Sequence, residues 1–115
     1  MKTFSIFQMK RVPSTRYMRF ESYNDAVEMN GGKLLTEDLY DLVYTAPIEN
    51  VESADVMLNE IFVKFNIARP QDFKGHSLSM SDVIALDIDG TVSYYYVDSI
   101  GFKKMDAFEG GAGRD

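Results

Sequence analysis

An α+β domain with a mostly antiparallel sheet is what the sequence predicts, and three observations carry that expectation. Two β-branched and aromatic runs, Val83-Ile84-Ala85-Leu86 and Thr91-Val92-Ser93-Tyr94-Tyr95-Tyr96-Val97, flank Asp89-Gly90, the composition of two strands joined by a tight turn. Ala54, Met57, Leu58, Ile61, Phe62 and Phe65 recur at helical spacing, forming the apolar stripe of a main helix over about 54–66 that is expected to cover one face of the sheet. A shorter helix near 23–30 is marked by Ser22 as N-cap and by Tyr23, Ala26 and Val27 on one face, with Gly31 placed to end it.

The hairpin register follows from the side-chain pattern. A two-residue loop pairs Ile88 with Thr91 and sets Ile84, Leu86 and Ile88 beside Thr91 and Ser93. A three-residue loop pairs Asp87 with Thr91 and gathers Ile84, Leu86, Val92, Tyr94 and Tyr96 on one face, leaving Ala85, Asp87, Ser93 and Tyr95 on the other. A one-residue slip flips every side chain, so burial on one face favours the second register, with a type I turn and a left-handed Gly90 in a bulge. Tyr95 is then the tyrosine expected to be exposed. Val83 and Val97 are apolar exceptions on the outer face.

Along the rest of the chain, Thr3 to Met9 reads as a strand with apolar residues on both faces, which suits a central position. Tyr17 to Phe20 reads as a short strand after the Pro13-Ser14 turn. Thr36-Glu37-Asp38 opens a helical turn, and the alternation from Tyr40 to Thr45 predicts a strand ending before Ala46-Pro47. Ser53 caps the main helix, Arg69-Pro70 closes it, and Phe73 anchors the loop that follows. Residues 1–108 are expected to form one domain, and 109–115, with no apolar side chain larger than alanine, a frayed tail.

With 45% hydrophobic and 13% aromatic residues, the chain can fill a core and does not have the composition of a disordered segment. The absence of cysteine removes disulfides, zinc ribbons and thiol chemistry. No apolar run approaches a membrane span of about 18 residues, and the start lacks a signal-peptide pattern, so a cytoplasmic location is expected. The net charge of −6 is uneven. Residues 1–20 hold Lys2, Lys10, Arg11, Arg16 and Arg19 and no acid, whereas the remainder is strongly acidic. Arg11, Arg16 and Arg19 are therefore the candidates for nucleic-acid contact, against the plainer expectation that they pair with acidic neighbours of the same chain.

One phrase looks catalytic. Val83 to Val92 resembles the first motif of haloacid-dehalogenase-type phosphatases, in which two aspartates (here Asp87 and Asp89) work beside Mg²⁺. That motif lies on a parallel strand followed by well over a hundred residues, and only 24 residues follow Thr91. The expected role of Asp87 and Asp89 is at a hairpin tip, where turns favour aspartate. His76, with Ser77, Ser79, Ser81, Asp82, Asp98 and Ser99, is the only polar cluster near a histidine. It lacks a G-x-S-x-G elbow and the ligand count of a metal site, so no catalytic residue, metal or cofactor is assigned.

The blocks Tyr44-Thr45-Ala46-Pro47, Phe65-Asn66 with Arg69-Pro70, Phe73, Gly75-His76-Ser77-Leu78-Ser79-Met80-Ser81-Asp82-Val83 and Tyr96-Val97-Asp98-Ser99-Ile100-Gly101-Phe102 resemble the YodL-like domain family, over about residues 4 to 108. That family usually has a proline before its final aromatic, where this chain has Asp106. The resemblance implies a small bacterial domain, frequent on conjugative elements and phages, with no established catalytic activity. It directs attention to a surface around His76, Asp98 and Ser99. The expected function is a non-enzymatic module binding a protein partner through His76, Ser77, Tyr95, Asp98 and Ser99 and the sheet edge. The alternative is a nucleic-acid role, either contact through the three arginines or DNA mimicry by the acidic body. A Mg²⁺-dependent phosphatase is the disfavoured third reading.

Overall fold

The hairpin turn sets the register of the whole sheet. Asp89 and Gly90 both have positive φ, 55° and 93°, the two left-handed residues of a type I′ turn, whose twist matches that of the flanking strands. In the computed structural model, which describes residues 1–106 and Phe108, Ile88 therefore pairs with Thr91 and Asp87 with Val92. The loop has two residues, not the three expected from burial on one face. The physical reason is that both faces are covered, so no register leaves apolar side chains in water. Val83, Ala85 and Tyr96 enter one apolar cluster, and Ile84, Leu86 and Val97 enter another. Val83 and Val97, exceptions under the longer loop, are ordinary core residues under the shorter one.

Five antiparallel strands form one sheet in the order β2-β1-β3-β4-β5. They are β1 (Lys2–Met9), β2 (Tyr40–Pro47), β3 (Val83–Ile88), β4 (Thr91–Val97) and β5 (Phe102–Met105). β1 is an interior strand, paired on both sides by β2 and β3, which fits its two-sided apolar pattern. Phe4 and Ile6 pack on one face, Phe7 and Met9 on the other. The edge strand β5 is absent from the sequence reading because it is short and reads Phe-Lys-Lys-Met, with both lysines exposed, a usual way to blunt a sheet edge. β2 runs to Pro47, two residues beyond its predicted end.

The helices divide the faces. The longer one, α2 (Ala54–Ile67), is capped by the Ser53 hydroxyl accepting from the Val56 amide. It buries Met57, Leu58, Ile61 and Phe65 against Phe4, Ile6, Ile84 and Leu86, each burial worth about 1.5–3 kcal/mol. Val56 and Val63, off that stripe, are exposed and make no wider contact. The shorter helix, α1 (Tyr23–Met29), is capped by Ser22 and leads into a left-handed Gly31. Tyr23 and Ala26 pack on the opposite face, with the Tyr23 and Tyr96 rings edge to face at 5.2 Å. Phe108 closes this second core between Phe7, Tyr40 and Tyr94.

Two further expectations change. Tyr17 to Phe20 is a turn segment after a 3₁₀ turn at Pro13–Thr15, not a strand; Phe20 has a φ of 70°, which no strand residue adopts. Tyr95 is half-buried on the α2 face opposite Ile84 and is not the exposed tyrosine, a direct consequence of the shorter loop. The expected tail at 109–115 lies outside the described residues.

Candidate functional site

At the C-terminal end of β1 the apolar run is interrupted by one polar residue, Gln8, which shares the α2 face with Phe4 and Ile6 and is buried. The loop from Gly75 to Asp82 folds over it. The Gln8 Nε2 donates to the His76 carbonyl at 2.9 Å and to Asp82 Oδ2 at 3.1 Å, while Gln8 Oε1 accepts from the His76 amide at 3.2 Å. Those two donations use both amide hydrogens, so His76 Nδ1, 3.2 Å from the same nitrogen, carries its own hydrogen toward the Ser77 carbonyl at 2.7 Å. Gly75 is required here by closeness: a Cβ would stand 2.4 Å from Gln8 Oε1 and 2.9 Å from the Phe73 ring.

Asp82 is the buried acid of this loop, 1% exposed. Oδ2 accepts from Gln8 and from the Ser79 amide at 3.0 Å; Oδ1 has no partner among the described residues. Burial pushes its carboxyl up to about 7, against the lowering effect of those two hydrogen bonds. The next residue back, Ser81, has a φ of 89° and is held from all sides. Its Oγ accepts from the Phe20 amide, its carbonyl from the Tyr40 hydroxyl, and its own amide donates to Val97. The loop is thus tied to β1, β2, β4 and the segment before α1.

The predicted site residues fall into separate places. His76 and Ser77 lie on this loop, the ring half-buried and Ser77 exposed. Asp98 caps α1 instead: its Oδ1 accepts from the Tyr23 amide at 3.0 Å and from Ser99 at 2.8 Å. Ser99 is exposed in the turn that follows. Among the described residues no hydrogen bond or ring contact joins His76 to Asp98 or to Tyr95, which packs on the α2-side core from β4. The five therefore do not form one cluster. The structure instead connects His76 with the arginine segment. The Phe20 ring is 6.1 Å from the His76 ring, the Arg19 guanidinium lies 5.9 Å over Phe20, and Arg16 lies 5.7 Å over Tyr17. None of Arg11, Arg16 and Arg19 pairs with an acid among the described residues; the ion pairs there join Asp89 to the N-terminal ammonium and to Lys2. The expectation that these arginines neutralise nearby acids is not met. Asp87 and Asp89 serve the hairpin tip, Asp87 Oδ1 accepting from the Gly90 amide at 2.9 Å.

The sheet edge expected to bind a partner comes with clefts that the sequence reading did not foresee. The outer edge of β2 pairs with no strand among the described residues, and two clefts open beside it. One, of about 290 Å³, is lined by Gln8, Arg11, Asp41, Val43, Lys74 and His76, among others. The other, of about 340 Å³, runs between β2 and α2, floored by Phe4, Met57, Ile61 and Phe65 with Glu60 and Lys64 at its rim. Tyr44 lines this second cleft, its ring edge to face with Phe73 at 5.7 Å and its hydroxyl 3.1 Å from Asp72. A β-bulge between Ile6 and Phe7 leaves Val43 unpaired and turns it toward the α2 side. Such an opening depends on how β2 and α2 diverge, which no local pattern encodes.

Among the described residues no helix is long and apolar enough to cross a membrane, and no three His, Cys, Asp or Glu side chains gather in a group that could hold a metal ion. Neither a curated protein nor a solved structure matches the chain. The family model for the YodL-like domain matches residues 3–108, nearly the whole length and every element described above, and the chain belongs to the YodL-like domain family.

Proposed function

We propose that this domain is a non-enzymatic interaction module that takes up an extended segment of a partner protein along β2. The observation that carries this reading is the outer edge of β2, unpaired among the described residues, with two clefts lined by its residues. Strand addition draws affinity from main-chain hydrogen bonds and specificity from pockets that receive alternate side chains. The bulge at Val43 and the proline at the end of the strand limit the pairing to a short segment and guard against indiscriminate edge association. His76 contributes as one wall of the nearer cleft, which retains it in the site; Asp98, Ser99 and Tyr95 are outside it. A cytoplasmic setting and a link to conjugative or phage elements belong to the same proposal, the latter resting on family membership alone. The test is selection of displayed random peptides on the ¹⁵N-labelled domain. Expected are amide shifts concentrated at residues 40–47, lost when exposed Leu42 and Thr45 are both changed to lysine. Peptides that bind with β2 unshifted, or no binding peptide at all, overturn the reading.

A second reading has its own support. Arg16 over Tyr17 and Arg19 over Phe20 interleave cations with exposed rings, the combination on which single-stranded nucleic acid stacks. It predicts binding of a fluorescent oligothymidylate that weakens steeply with salt and is abolished by Arg11→Glu with Arg16→Glu. An undetectable signal at low salt removes it.

A further inference from the structure

We infer that the cleft beside His76 takes the phosphate of a nucleotide whose base rests on the Phe20 ring. This rests on the second reading above, the arginine and aromatic segment as a nucleic-acid surface, and gives that surface a phosphate site; strand addition along β2 does not depend on it. The cleft is lined by Arg11 from the segment after β1, by Lys74 and His76 from the loop after α2, and by one acid, Asp41 on β2. Neither Arg11 nor Lys74 has an ion-pair partner among the described residues, although the chain holds 18 acidic residues against 12 basic ones. An anion that reaches the cleft therefore meets two positive charges not already neutralised, against one negative charge. A guanidinium and an ammonium together suit a phosphate, the first through its fork of donors and the second as a point charge.

What selects a nucleotide over a bare anion is the ring next to the cleft. Phe20 is 52% exposed, and its ring lies 6.1 Å from that of His76, a wall of the cleft. One loop fixes both residues. The Phe20 amide donates to Ser81 Oγ at 3.0 Å, and the His76 backbone is held by both ends of the Gln8 amide. Arg19 lies 5.9 Å over the Phe20 ring and adds a third cation without an ion pair among the described residues. A fixed, half-exposed ring with cations around it is a stacking platform for a base. At about 290 Å³ the cleft stands at the lower limit of small-molecule sites, roughly 300–1,000 Å³, so it accepts the phosphate end and leaves the base outside, on the ring. A carboxylate of a peptide would satisfy the cations but leave Phe20 unused.

The experiment titrates the ¹⁵N-labelled full chain at low salt with thymidine, thymidine monophosphate and an oligothymidylate of about ten nucleotides. Expected with the monophosphate or the oligonucleotide are amide shifts at Lys74, Gly75 and His76 together with Phe20. Thymidine, which lacks the phosphate, should leave the first three in place. Shifts with the monophosphate mark a site for a free nucleotide, and shifts with the oligonucleotide alone mark a site for one unit of a strand. Lys74 lies outside the arginine segment, and Lys74→Glu should weaken binding at least about tenfold. Asp41→Asn removes the one acid of the cleft and should tighten binding about threefold, a gain that a merely destabilised variant cannot give. If the oligonucleotide binds but neither substitution changes its affinity by more than about twofold, the phosphate is not in the cleft and the inference is wrong, while the arginine reading stands. If neither the monophosphate nor the oligonucleotide binds, both fall.

Discussion

Gln8 Nε2 lies 3.1 Å from Asp82 Oδ2, joining residues 74 positions apart across the buried end of the sheet. Burial of Asp82 outweighs the hydrogen bonds from Gln8 and Ser79, and the carboxyl rises from 3.8 to about 7. An acid raised in this way holds in the folded chain a proton that the unfolded chain has released. Stability from this group therefore falls as pH rises from about 4 to about 7 and is flat above. At 1.36 kcal/mol per unit the full swing is about 4 kcal/mol at most. Denaturant midpoints at pH 5 and pH 8 for the native chain and Asp82→Asn measure it. The native chain should lose more stability than the variant over that interval, and equal losses would contradict the assignment.

Gly75→Ala is expected to loosen the loop at its hinge. A Cβ 2.4 Å from Gln8 Oε1 and 2.9 Å from the Phe73 ring forces either Gln8 or the loop to move, at a cost of about 1–3 kcal/mol. Native-state hydrogen exchange at the His76 amide, which donates to Gln8, should accelerate well beyond that of the β3 amides. Unchanged protection at His76 would show that the loop absorbs the methyl group without moving.

What the sequence makes legible here are features with local causes. Ser22 and Ser53 cap their helices because a hydroxyl there meets an orphan amide, and the α2 stripe from Met57 to Phe65 is a matter of period. The hairpin shows where that legibility ends. Asp89-Gly90 pointed to a tight turn, but the choice between two and three loop residues depended on whether the second face was covered. Coverage by α1 is a long-range fact. The unbroken apolar run Val83 to Leu86 was its one local sign, since a strand buried on both faces reads continuously. Gln8 was similarly visible as a polar residue within Ile6-Phe7-Gln8-Met9, yet its partners lie about seventy residues away. His76 lies on the loop anchored to Gln8, whereas Asp98, grouped with it on sequence context, accepts from the first amide of α1.

Asp98→Ala tests that cap. The carboxylate accepts from the first amide of α1 and from Ser99, and carries a negative charge to the helix N-terminus. Its removal should cost about 1 kcal/mol, with early loss of protection in α1 and little change in α2. Asp98→Asn, which keeps the acceptor oxygen, should recover part of the loss. Equal losses in the two variants would show that the charge, not the acceptor, is what matters.

The face of α2 that meets the sheet gives a graded prediction. Ile61 is buried and Phe65 wholly so, the Phe65 ring meeting Phe4 at 5.8 Å and Phe73 at 4.9 Å. Phe62, at the flank, is only half-buried and touches Phe102 on the edge strand β5. Truncation to alanine should therefore cost about 2–5 kcal/mol at Ile61, at least about 3 kcal/mol at Phe65, and less than either at Phe62. Phe65 also floors the cleft between β2 and α2, so its variant should weaken peptide binding where Phe62→Ala leaves it unchanged. Chemical denaturation gives the ranking, and a loss at Phe62 equal to that at Phe65 would mean that α2 sits rotated on the sheet relative to this structure.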